Sequence, residues 1–345
     1  MAESLYDLTR DELADLLEGE PRYRVDQVWE GLYGHLREPA DITNIPKSLR
    51  RAVSDLLPPA LTDVRQSVSD DGGTVKFLWS VAGGDMIETV LMHYEKRTTV
   101  CVSSQAGCAM GCGFCATGQR GFSRHLSRGE IVEQVIRAGR RAAPRRIDNV
   151  VFMGMGEPMA NFDATWDAVH TLHDDMGIGA RHITISTVGV VPGIDRLGRA
   201  DLPVNLAISL HAANDRKRDR LVPLNRTYPL SRLAEACRRY RTHRNRRISF
   251  EWALIEGVND TPTDAEELAA FALPLAAHVN LIPLNPTPGW PTRGSSPDVV
   301  EAFALDLRRR GVNTTVRHNR GTEIDAACGQ LAARHHTIGR RRESP

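Results

Sequence analysis

Three closely spaced cysteines are the residues best suited to chemistry in this sequence. Cys108, Cys112 and Cys115 lie in the run Gly107-Cys-Ala-Met-Gly-Cys-Gly-Phe-Cys115, with three and then two residues between neighbours. Three thiolates on one tight loop can hold three irons of a [4Fe–4S] cluster and leave the fourth iron open to a cofactor or substrate. The glycines of the run would let the backbone wrap around such a cluster. The spacing therefore predicts an iron–sulfur site.

A structural zinc ion is the alternative ligand for these cysteines. Zinc prefers four protein ligands, commonly in paired C-x₂-C elements. This chain has one such pair, Cys112 and Cys115, with Cys101 as a candidate fourth ligand. The three-cysteine spacing, with the aromatic Phe114 before the last cysteine, resembles the radical S-adenosylmethionine (SAM) superfamily. In that superfamily the open iron binds SAM, and reduction of the cluster cleaves SAM to a 5′-deoxyadenosyl radical.

The remaining cysteines lack metal-ligand spacing. Cys101 precedes the cluster loop, Cys237 lies on an amphipathic helical pattern that predicts core packing, and Cys328 lies near the end of the chain. From spacing alone, Cys101 and Cys328 are interpreted as buried, inert thiols. Six cysteines, four of them between Cys101 and Cys115, indicate metal or redox chemistry in a reducing compartment and not a disulfide scaffold.

Composition indicates an ordinary soluble globular protein. The chain has 345 residues, of which 41% are hydrophobic and 25% are charged. No long apolar run predicts a membrane span, and the first ten residues lack a signal pattern, so we expect a cytoplasmic protein without membrane contact. The net charge is +1, but the arginines are clustered. The clusters are explained either by phosphate binding or by codon bias together with solvated helix faces. They are Arg137–Arg146, Arg216–Arg220, Arg238–Arg247, Arg308–Arg310 and Arg340–Arg342.

The order of sequence patterns predicts a small helical domain in front of a larger α/β core. In residues 1–60 a capping box of Thr9 and Glu12 precedes an apolar helical stripe. Residues 61–97 contain three β-like runs, which predict an antiparallel connector. From 98 to 330, seven apolar strand patterns alternate with helical ones, which predicts a parallel sheet with right-handed crossovers. Because a complete barrel has eight units, we expect a partial, open α/β barrel. Residues 331–345 are interpreted as a basic, flexible tail.

Polar residues at the carboxyl ends of the predicted core strands outline one pocket. Such strand ends meet at the same edge of a parallel sheet. Glu157 could accept hydrogen bonds from an ammonium group there, whereas His211 taken alone is more typical of a structural histidine. The predicted strands are Thr99–Ser103, Asn149–Met153, His182–Ser186, Val204–Leu210, Ile248–Leu254, Val279–Pro283 and Val312–Val316. The pocket residues are Gly156, Glu157, Ser186, Ser209, Leu210, His211 and Asn285.

These motifs together resemble the RlmN/Cfr family of radical SAM RNA methyltransferases. The resemblance covers nearly the whole chain in consistent order and favours the RlmN branch, which makes 2-methyladenosine in 23S ribosomal RNA and in certain transfer RNAs. It implies a radical SAM partial barrel with a small N-terminal helical accessory domain. The matching segments are Cys101–Gly118, Gly154–Pro158, Ser186–Pro192, Ile208–His211, Leu281–Pro286, Asp325–Gln330 and the N-terminal helix with Gln27–Trp29.

The resemblance also implies roles for residues that spacing leaves unexplained. Cys328 matches a cysteine that takes a methyl group from one SAM. A second SAM, bound at the cluster of Cys108, Cys112 and Cys115, supplies the radical that removes hydrogen from this S-methyl group, and the carbon radical adds to adenine. Cys101 matches the thiol that then attacks the Cys328 sulfur, which releases product and leaves a transient disulfide. Glu88 lies where the family has a proton-accepting carboxylate, and the pocket residues named above match SAM contacts.

The implied substrates are 23S rRNA and tRNA, with a flavodoxin- or ferredoxin-type electron donor and a monomeric enzyme. An adenine in the pocket must be unstacked, so single-stranded or looped RNA is the natural substrate. The arginine clusters and the tail arginines Arg340–Arg342 are candidates for phosphate contacts. Three alternatives remain at this stage: the Cfr branch, which methylates adenine C8 and shares the cluster and both cysteines; a radical SAM enzyme for peptides or small molecules, which would not need Cys101 and Cys328; and a zinc-stabilised RNA-binding protein.

Overall fold

The N-terminal part of the chain is helical, as the sequence predicts. The computed structural model describes residues 4–56, 58–244, 246–287, 289–317 and 320–331. The first helices are α1 (Arg10–Leu16), α2 (Arg22–Trp29) and α3 (Lys47–Leu56). The predicted capping box forms at α1, where the Thr9 side chain accepts the backbone N–H of Glu12 and the Glu12 carboxylate accepts the backbone N–H of Thr9. The predicted C-terminal tail, apart from Leu331, lies outside the described residues.

The predicted connector forms three antiparallel strands, β1 (Thr62–Val68), β2 (Thr74–Ser80) and β3 (Met86–His93). The last of them pairs antiparallel with β4 (Thr98–Cys101), the first strand of the core. The connector is therefore an extension of the core sheet.

The rest of the chain alternates strands with helices. The further strands are β5 (Gln105–Gly107), β6 (Phe122–His125), β7 (Asn149–Phe152), β8 (Ile183–Thr187), β9 (Asn205–Ser209), β10 (Ile248–Leu254), β11 (His278–Pro283) and β12 (Thr314–Val316). The further helices are α4 (Ala116–Arg120), α5 (Arg128–Ala142), α6 (Phe162–His170), α7 (Val191–Arg199), α8 (Asp215–Leu221), α9 (Leu230–Arg244), α10 (Pro262–Ala272) and α11 (Pro297–Arg309).

The parallel part of the sheet is an open barrel. Seven of the described strands run parallel in the order β4-β7-β8-β9-β10-β11-β12. Within the described chain β12 does not pair back to β4, so the barrel stays open between them. The predicted partial α/β barrel is confirmed, and each predicted core strand ends within two residues of an observed one. This arrangement gathers the carboxyl ends of the strands at one edge.

The N-terminal helices pack directly on the barrel. Asp7 accepts the Gly129 N–H at 2.7 Å and the Ser127 hydroxyl at 3.1 Å, at the start of α5, where the helix dipole favours a carboxylate. The indole N–H of Trp29 donates to Asp175 at 2.7 Å. One continuous apolar core includes side chains from both parts. Among the described helices, none is both long enough and apolar enough to cross a bilayer.

Candidate active site

The cysteine loop leaves the carboxyl end of β4 and is framed by the hairpin of β5 and β6. At its start the Cys108 N–H donates to the Gly121 carbonyl at 2.8 Å. Gly107 has a φ of +77°, and a Cβ at this position would lie 2.1 Å from the Gly121 oxygen. Only glycine permits this closure of the loop.

The three cysteines of the loop line one cavity of about 160 Å³ at the carboxyl ends of the barrel strands. Burial raises the pKa of Cys108 to about 12 and also raises the pKa of Cys112, so these two thiols are protonated when free and metal binding must displace their protons. Within the described chain, no three His, Cys, Asp or Glu side chains converge closely enough to hold a single metal ion. A [4Fe–4S] cluster takes each thiolate on a different iron. Three thiols at one cavity therefore match the ligand set of such a cluster, whereas structural zinc prefers four protein ligands.

The loop after β7 lines the same cavity. Gly156 has a φ of +103°, and a Cβ there would lie 2.7 Å from the backbone nitrogen of Gln105, so this close approach requires glycine. Glu157 is 2% exposed, and its carboxylate accepts the N–H groups of Met159 at 3.0 Å and Val188 at 2.8 Å. Burial, partly opposed by these hydrogen bonds, raises the pKa of Glu157 to about 7. The site thus contains a buried acceptor that is fixed by the backbone.

The next two strands contribute hydroxyl groups to the cavity. Ser186 and Ser209 line it from the ends of β8 and β9, with their Oγ atoms 3.4 Å apart. Leu210 is buried and does not line the cavity. Its contribution is structural, because its carbonyl accepts a hydrogen bond from Arg218 Nε at 3.0 Å.

A single buried guanidinium holds these two strand ends together. Arg218 of α8 is 1% exposed, and besides Leu210 it donates to the Val188 carbonyl at 2.6 Å and to the Asn225 side chain at 2.9 Å. The sequence grouped Arg218 with arginines that could bind phosphate. For this residue that interpretation is wrong, because its donors are occupied inside the protein.

His211 presents a neutral ring to the cavity. Its Nδ1 accepts the backbone N–H of Ala253 at 2.9 Å, so the ring proton of the neutral form lies on Nε2. Burial, aided by the positive charge of Arg218, lowers the pKa of His211 to about 3. The ring packs edge-on against Phe114 of the cysteine loop, with centroids 4.8 Å apart. His211 is therefore a fixed, uncharged hydrogen-bond donor beside the loop.

The C-terminal loop closes over the cysteine loop. The Ala116 N–H donates to the Gly329 carbonyl at 2.8 Å, and the Thr117 hydroxyl donates to the Leu331 carbonyl at 2.6 Å. Asn285, which follows β11, donates to the Cys328 carbonyl at 3.1 Å. These bonds hold Cys328 and Asn285 against the cavity that the cluster cysteines line.

Cys101 and Cys328 line a second, smaller cavity of about 60 Å³. Cys328 and Arg317 line both this cavity and the cluster cavity. Burial raises the pKa of Cys101 to about 12. Cys328 is exposed to solvent at the cavity edge, and desolvation by the surrounding protein raises its pKa against the opposing effect of Arg317. Arg317 is held by Glu251, with Nη1 and Oε2 3.5 Å apart. The arrangement joins the two thiols that spacing alone leaves unexplained.

Glu88 is the one predicted catalytic residue that lines neither cavity. It lies on β3, is buried, and forms an ion pair with Lys76 at 3.0 Å. Lys76 also donates to the carbonyl of Asp325 at 3.1 Å. Through Lys76, Glu88 is connected to the loop that carries Cys328.

Four residues of the site were not singled out from the sequence. Gln105 accepts the Glu157 N–H at 2.8 Å, Arg218 joins the strand ends, and Glu251 and Arg317 form the ion pair beside Cys328. Glu251 lies within a predicted strand and Arg317 directly follows another. A charged residue in or beside an apolar strand pattern is the feature of the sequence that could have identified them as site residues. Cys237 is buried, as predicted.

Comparisons with known proteins agree with this geometry. The Radical SAM superfamily profile matches residues 102–272. The "Probable dual-specificity RNA methyltransferase RlmN" of Salinispora tropica is 49% identical over 328 residues, covering 91% of this chain and 88% of that protein. The "Dual-specificity RNA methyltransferase RlmN 1" of Myxococcus xanthus is 48% identical, and the match covers 98% of this chain and 96% of that protein. The chain belongs to the RlmN family of radical SAM RNA methyltransferases.

A solved structure supports the RlmN-family fold directly. The crystal structure of a radical SAM methyltransferase from Sphaerobacter thermophilus has a TM-score of 0.93 and 51% identity, covering 96% of this chain and all of that one (100%). Membership of the RlmN family makes this chain an enzyme whose cofactors are a [4Fe–4S] cluster and SAM, as the cysteine loop predicts.

Proposed function

We propose that this enzyme methylates carbon 2 of an adenosine in 23S rRNA and in some tRNAs, through an S-methylated Cys328 and a transient disulfide with Cys101. The observation that carries the proposal is the small cavity shared by Cys101 and Cys328, which adjoins the cluster cavity through Cys328 itself. The names of the relatives support RNA as the substrate.

The proposed chemistry needs a carrier thiol because an adenine ring carbon is a poor nucleophile. Cys328, as the thiolate, takes the methyl group of one SAM and releases S-adenosylhomocysteine. The side chain of Arg317 favours that thiolate, since its charge opposes the effect of desolvation on the Cys328 pKa. Cys328 then presents an S-methyl group at the edge of the cluster cavity. Removal of hydrogen from this methyl group leaves a carbon radical that adds to the adenine ring carbon. Loss of the ring proton and of one electron, which the oxidised cluster would take back, leaves Cys328 joined to the base through a methylene group.

The cysteine loop would supply the radical step. Cys108, Cys112 and Cys115 would hold a [4Fe–4S] cluster, whose chemistry when bound would be the one-electron cleavage of a second SAM to the radical that removes this hydrogen. We assign SAM binding to the groups that line the cavity: the Glu157 carboxylate for the ammonium group, the neutral His211 donor, and the backbone at the required glycine, Gly156. The remaining assigned contacts are Ser186, Ser209 and Asn285. Leu210 does not line the cavity, and its carbonyl positions the strand end through Arg218.

Release of product requires a second thiol and a proton acceptor. Cys101, as the thiolate, attacks the Cys328 sulfur, and the sulfur–carbon bond breaks. The electron pair goes to the methylene carbon, which takes up a proton and becomes the methyl group of the product, and a Cys101–Cys328 disulfide remains. We assign Glu88 to the proton transfer from the adenine carbon. Its connection to the C-terminal loop through Lys76 supports this role, although reaching the base requires that the Glu88–Lys76 pair open.

The proposal extends to partners and location. A flavodoxin- or ferredoxin-type donor reduces the cluster, and the enzyme acts as a monomer in the cytoplasm, where both RNA substrates are found.

The test is product analysis with cysteine variants. After anaerobic reconstitution with SAM and a reductant, RNA from a strain lacking the gene should gain 2-methyladenosine with the wild type and with the control Cys237→Ala. Cys328→Ala should give no product. Cys101→Ala should trap RNA covalently on Cys328, because the resolving thiol is missing; mass spectrometry detects both outcomes.

Other outcomes would redirect the proposal. 8-Methyladenosine would move the enzyme to the Cfr-type reaction. Product from Cys328→Ala would disprove the carrier role of this cysteine. SAM cleavage with an intact cluster but no modified RNA would favour a peptide or small-molecule substrate.

A further inference from the structure

A third cavity occupies the opposite half of the barrel interior. It measures about 570 Å³, a size typical of ligand sites. Its lining comes from the amino-terminal halves of β8, β9, β10 and β11, and it reaches Met153 and Arg317 just beyond the ends of β7 and β12. The interior of a parallel barrel is normally filled by packed apolar side chains. Here most of the lining residues are polar or charged, and an open space, the lumen, lies between them. Its polar residues from the strands are Thr184, Asn205, Ser249, Glu251, His278, Asn280 and Thr315.

The lumen leads to the reacting thiols. Met153, Glu251 and Arg317 line both the lumen and the cluster cavity. Met153 and Arg317 also line the small cavity that holds Cys101 and Cys328. A group entering from the amino-terminal end of the barrel would therefore arrive beside Cys328 without crossing the cysteine loop.

Two exposed arginines stand at the rim of this lumen. Arg97 immediately precedes β4 and Arg247 immediately precedes β10, and both line the lumen. Within the described part of the chain, neither forms an ion pair. By contrast, Arg137 and Arg140 of the first arginine cluster pair with acidic side chains. The rim arginines therefore keep their charge available for an external anion.

An aromatic ring connects the rim to the small cavity. The Arg97 guanidinium lies 4.6 Å from the centre of the Tyr94 ring, and the Arg320 guanidinium lies 4.5 Å from it. Tyr94 and Arg320 both line the small cavity. Arginine–aromatic surfaces of this kind bind phosphates and stack bases of single-stranded nucleic acid.

The lumen itself suits a neutral base and not a phosphate. Glu251 is 5% exposed, and its Oε2 has no hydrogen-bond donor among the described residues, although it faces Arg317 at 3.5 Å. A carboxylate repels phosphate and accepts N–H groups. Phosphates would thus remain at the rim while a base with an exocyclic amine enters.

We propose that the lumen is the entry path of the RNA: a single-stranded segment crosses the amino-terminal rim, Arg97 and Arg247 bind its phosphates, and the target base extends through the lumen towards Cys328. This inference rests on the RNA methyltransferase activity proposed above. It assigns RNA contacts to Arg247, which the sequence placed at the end of one arginine cluster, and to Arg97, which lies outside the clusters.

The test is RNA binding as a function of salt, with the reconstituted enzyme and a fluorescein-labelled 23S rRNA hairpin that carries an unpaired adenine. Each phosphate contact to single-stranded RNA contributes about 0.7 to the slope of log K against log salt. Arg97→Gln with Arg247→Gln should reduce the slope by about 1.4 and weaken binding. The conservative pair Arg97→Lys and Arg247→Lys should keep most of the slope. SAM cleavage without RNA should be the same in all proteins.

The matched control is Arg232→Gln with Arg309→Gln, two exposed arginines on α9 and α11. An equal slope change in the control pair and the rim pair, or no change in either, would overturn the entry path. The readout does not depend on turnover. A wild type that binds RNA with the expected rim effect but makes no 2-methyladenosine would refute the proposed function and leave the entry path standing.

Discussion

At the scale of single residues, the site depends on side chains whose protonation is set by their surroundings. His211 has a φ of +58°, which is uncommon for a residue with a side chain. The Asn259 side chain holds this turn by donating to the His211 carbonyl at 2.7 Å. Because the low pKa keeps the ring neutral at physiological pH, its Nε2–H remains a hydrogen-bond donor.

Replacing His211 with Asn should therefore flatten the dependence of stability on pH. Asn tolerates positive φ and keeps an acceptor for the Ala253 N–H. The folded pKa is about 3, against an ordinary 6.5, so between these values only the unfolded chain binds the proton. The contribution of the neutral His211 ring to the free energy of unfolding is therefore complete above pH 6.5 and is lost as pH falls towards 3. From about pH 7.5 to 5.5 the cluster-free wild type should lose about 1.4 kcal/mol more than the variant, measured by urea unfolding.

The control for this experiment is His243→Asn, which changes an exposed histidine on α9. It should lose as much stability as the wild type over the same pH interval. If His211→Asn also behaves like the wild type, the ring is protonated in the folded protein and its role as a neutral donor is wrong.

At the scale of elements, the parts found from the sequence are those with apolar periodicity. The run Ile248–Leu254 was predicted with its observed bounds because it is buried almost throughout. Helix α8 has no apolar stripe that a sequence could show, because its residues Asp215–Leu221 are nearly all charged and its buried side chains are Arg218 and Leu221. The hairpin of β5 and β6 was missed because its strands have three and four residues, too few to show a period. Pairwise contacts such as Arg317 with Glu251 depend on the fold and leave no local pattern.

Arg218 joins α8 to the ends of β8 and β9, and replacing it should lower the free energy of unfolding. Arg218→Met keeps much of the side-chain length but leaves the Val188 carbonyl and the Asn225 side-chain oxygen without their Arg218 donor, while the Leu210 carbonyl keeps only the Ala212 N–H. Each buried group left unpaired costs about 1–3 kcal/mol, so we expect a loss of about 3 kcal/mol in chemical denaturation. Arg216→Gln, an exposed neighbour on the same helix, should stay within about 0.5 kcal/mol of the wild type. Similar losses for both variants would mean that α8 responds to charge and not to these hydrogen bonds.

At the scale of the whole molecule, the two ends of the core meet at one place. The cysteine loop follows the first core strand, and the Cys328 loop follows the last, yet backbone and side-chain bonds join them over more than two hundred residues, as in Thr117 with Leu331 (|i−j| = 214). The open barrel makes this possible, because its first and last parallel strands do not pair within the described chain. Cys328, the proposed carrier, is therefore held against the cluster cavity by tertiary contacts.

Thr117→Val should loosen this junction without changing the cysteine ligands. The variant leaves the Leu331 carbonyl unpaired, which costs about 1–2 kcal/mol and corresponds to roughly tenfold more frequent opening of the C-terminal loop. Exchange of the Ala116 amide, which donates to Gly329, should rise about tenfold in hydrogen-exchange mass spectrometry. RNA methylation should fall while SAM cleavage without RNA persists, because only the position of Cys328 is disturbed. The control Thr171→Val removes a buried hydroxyl that donates to the Asp167 carbonyl at 3.2 Å and should change neither readout. Unchanged Ala116 exchange in Thr117→Val would show that the remaining bonds, from Ala116 and Asn285, suffice to hold the loop.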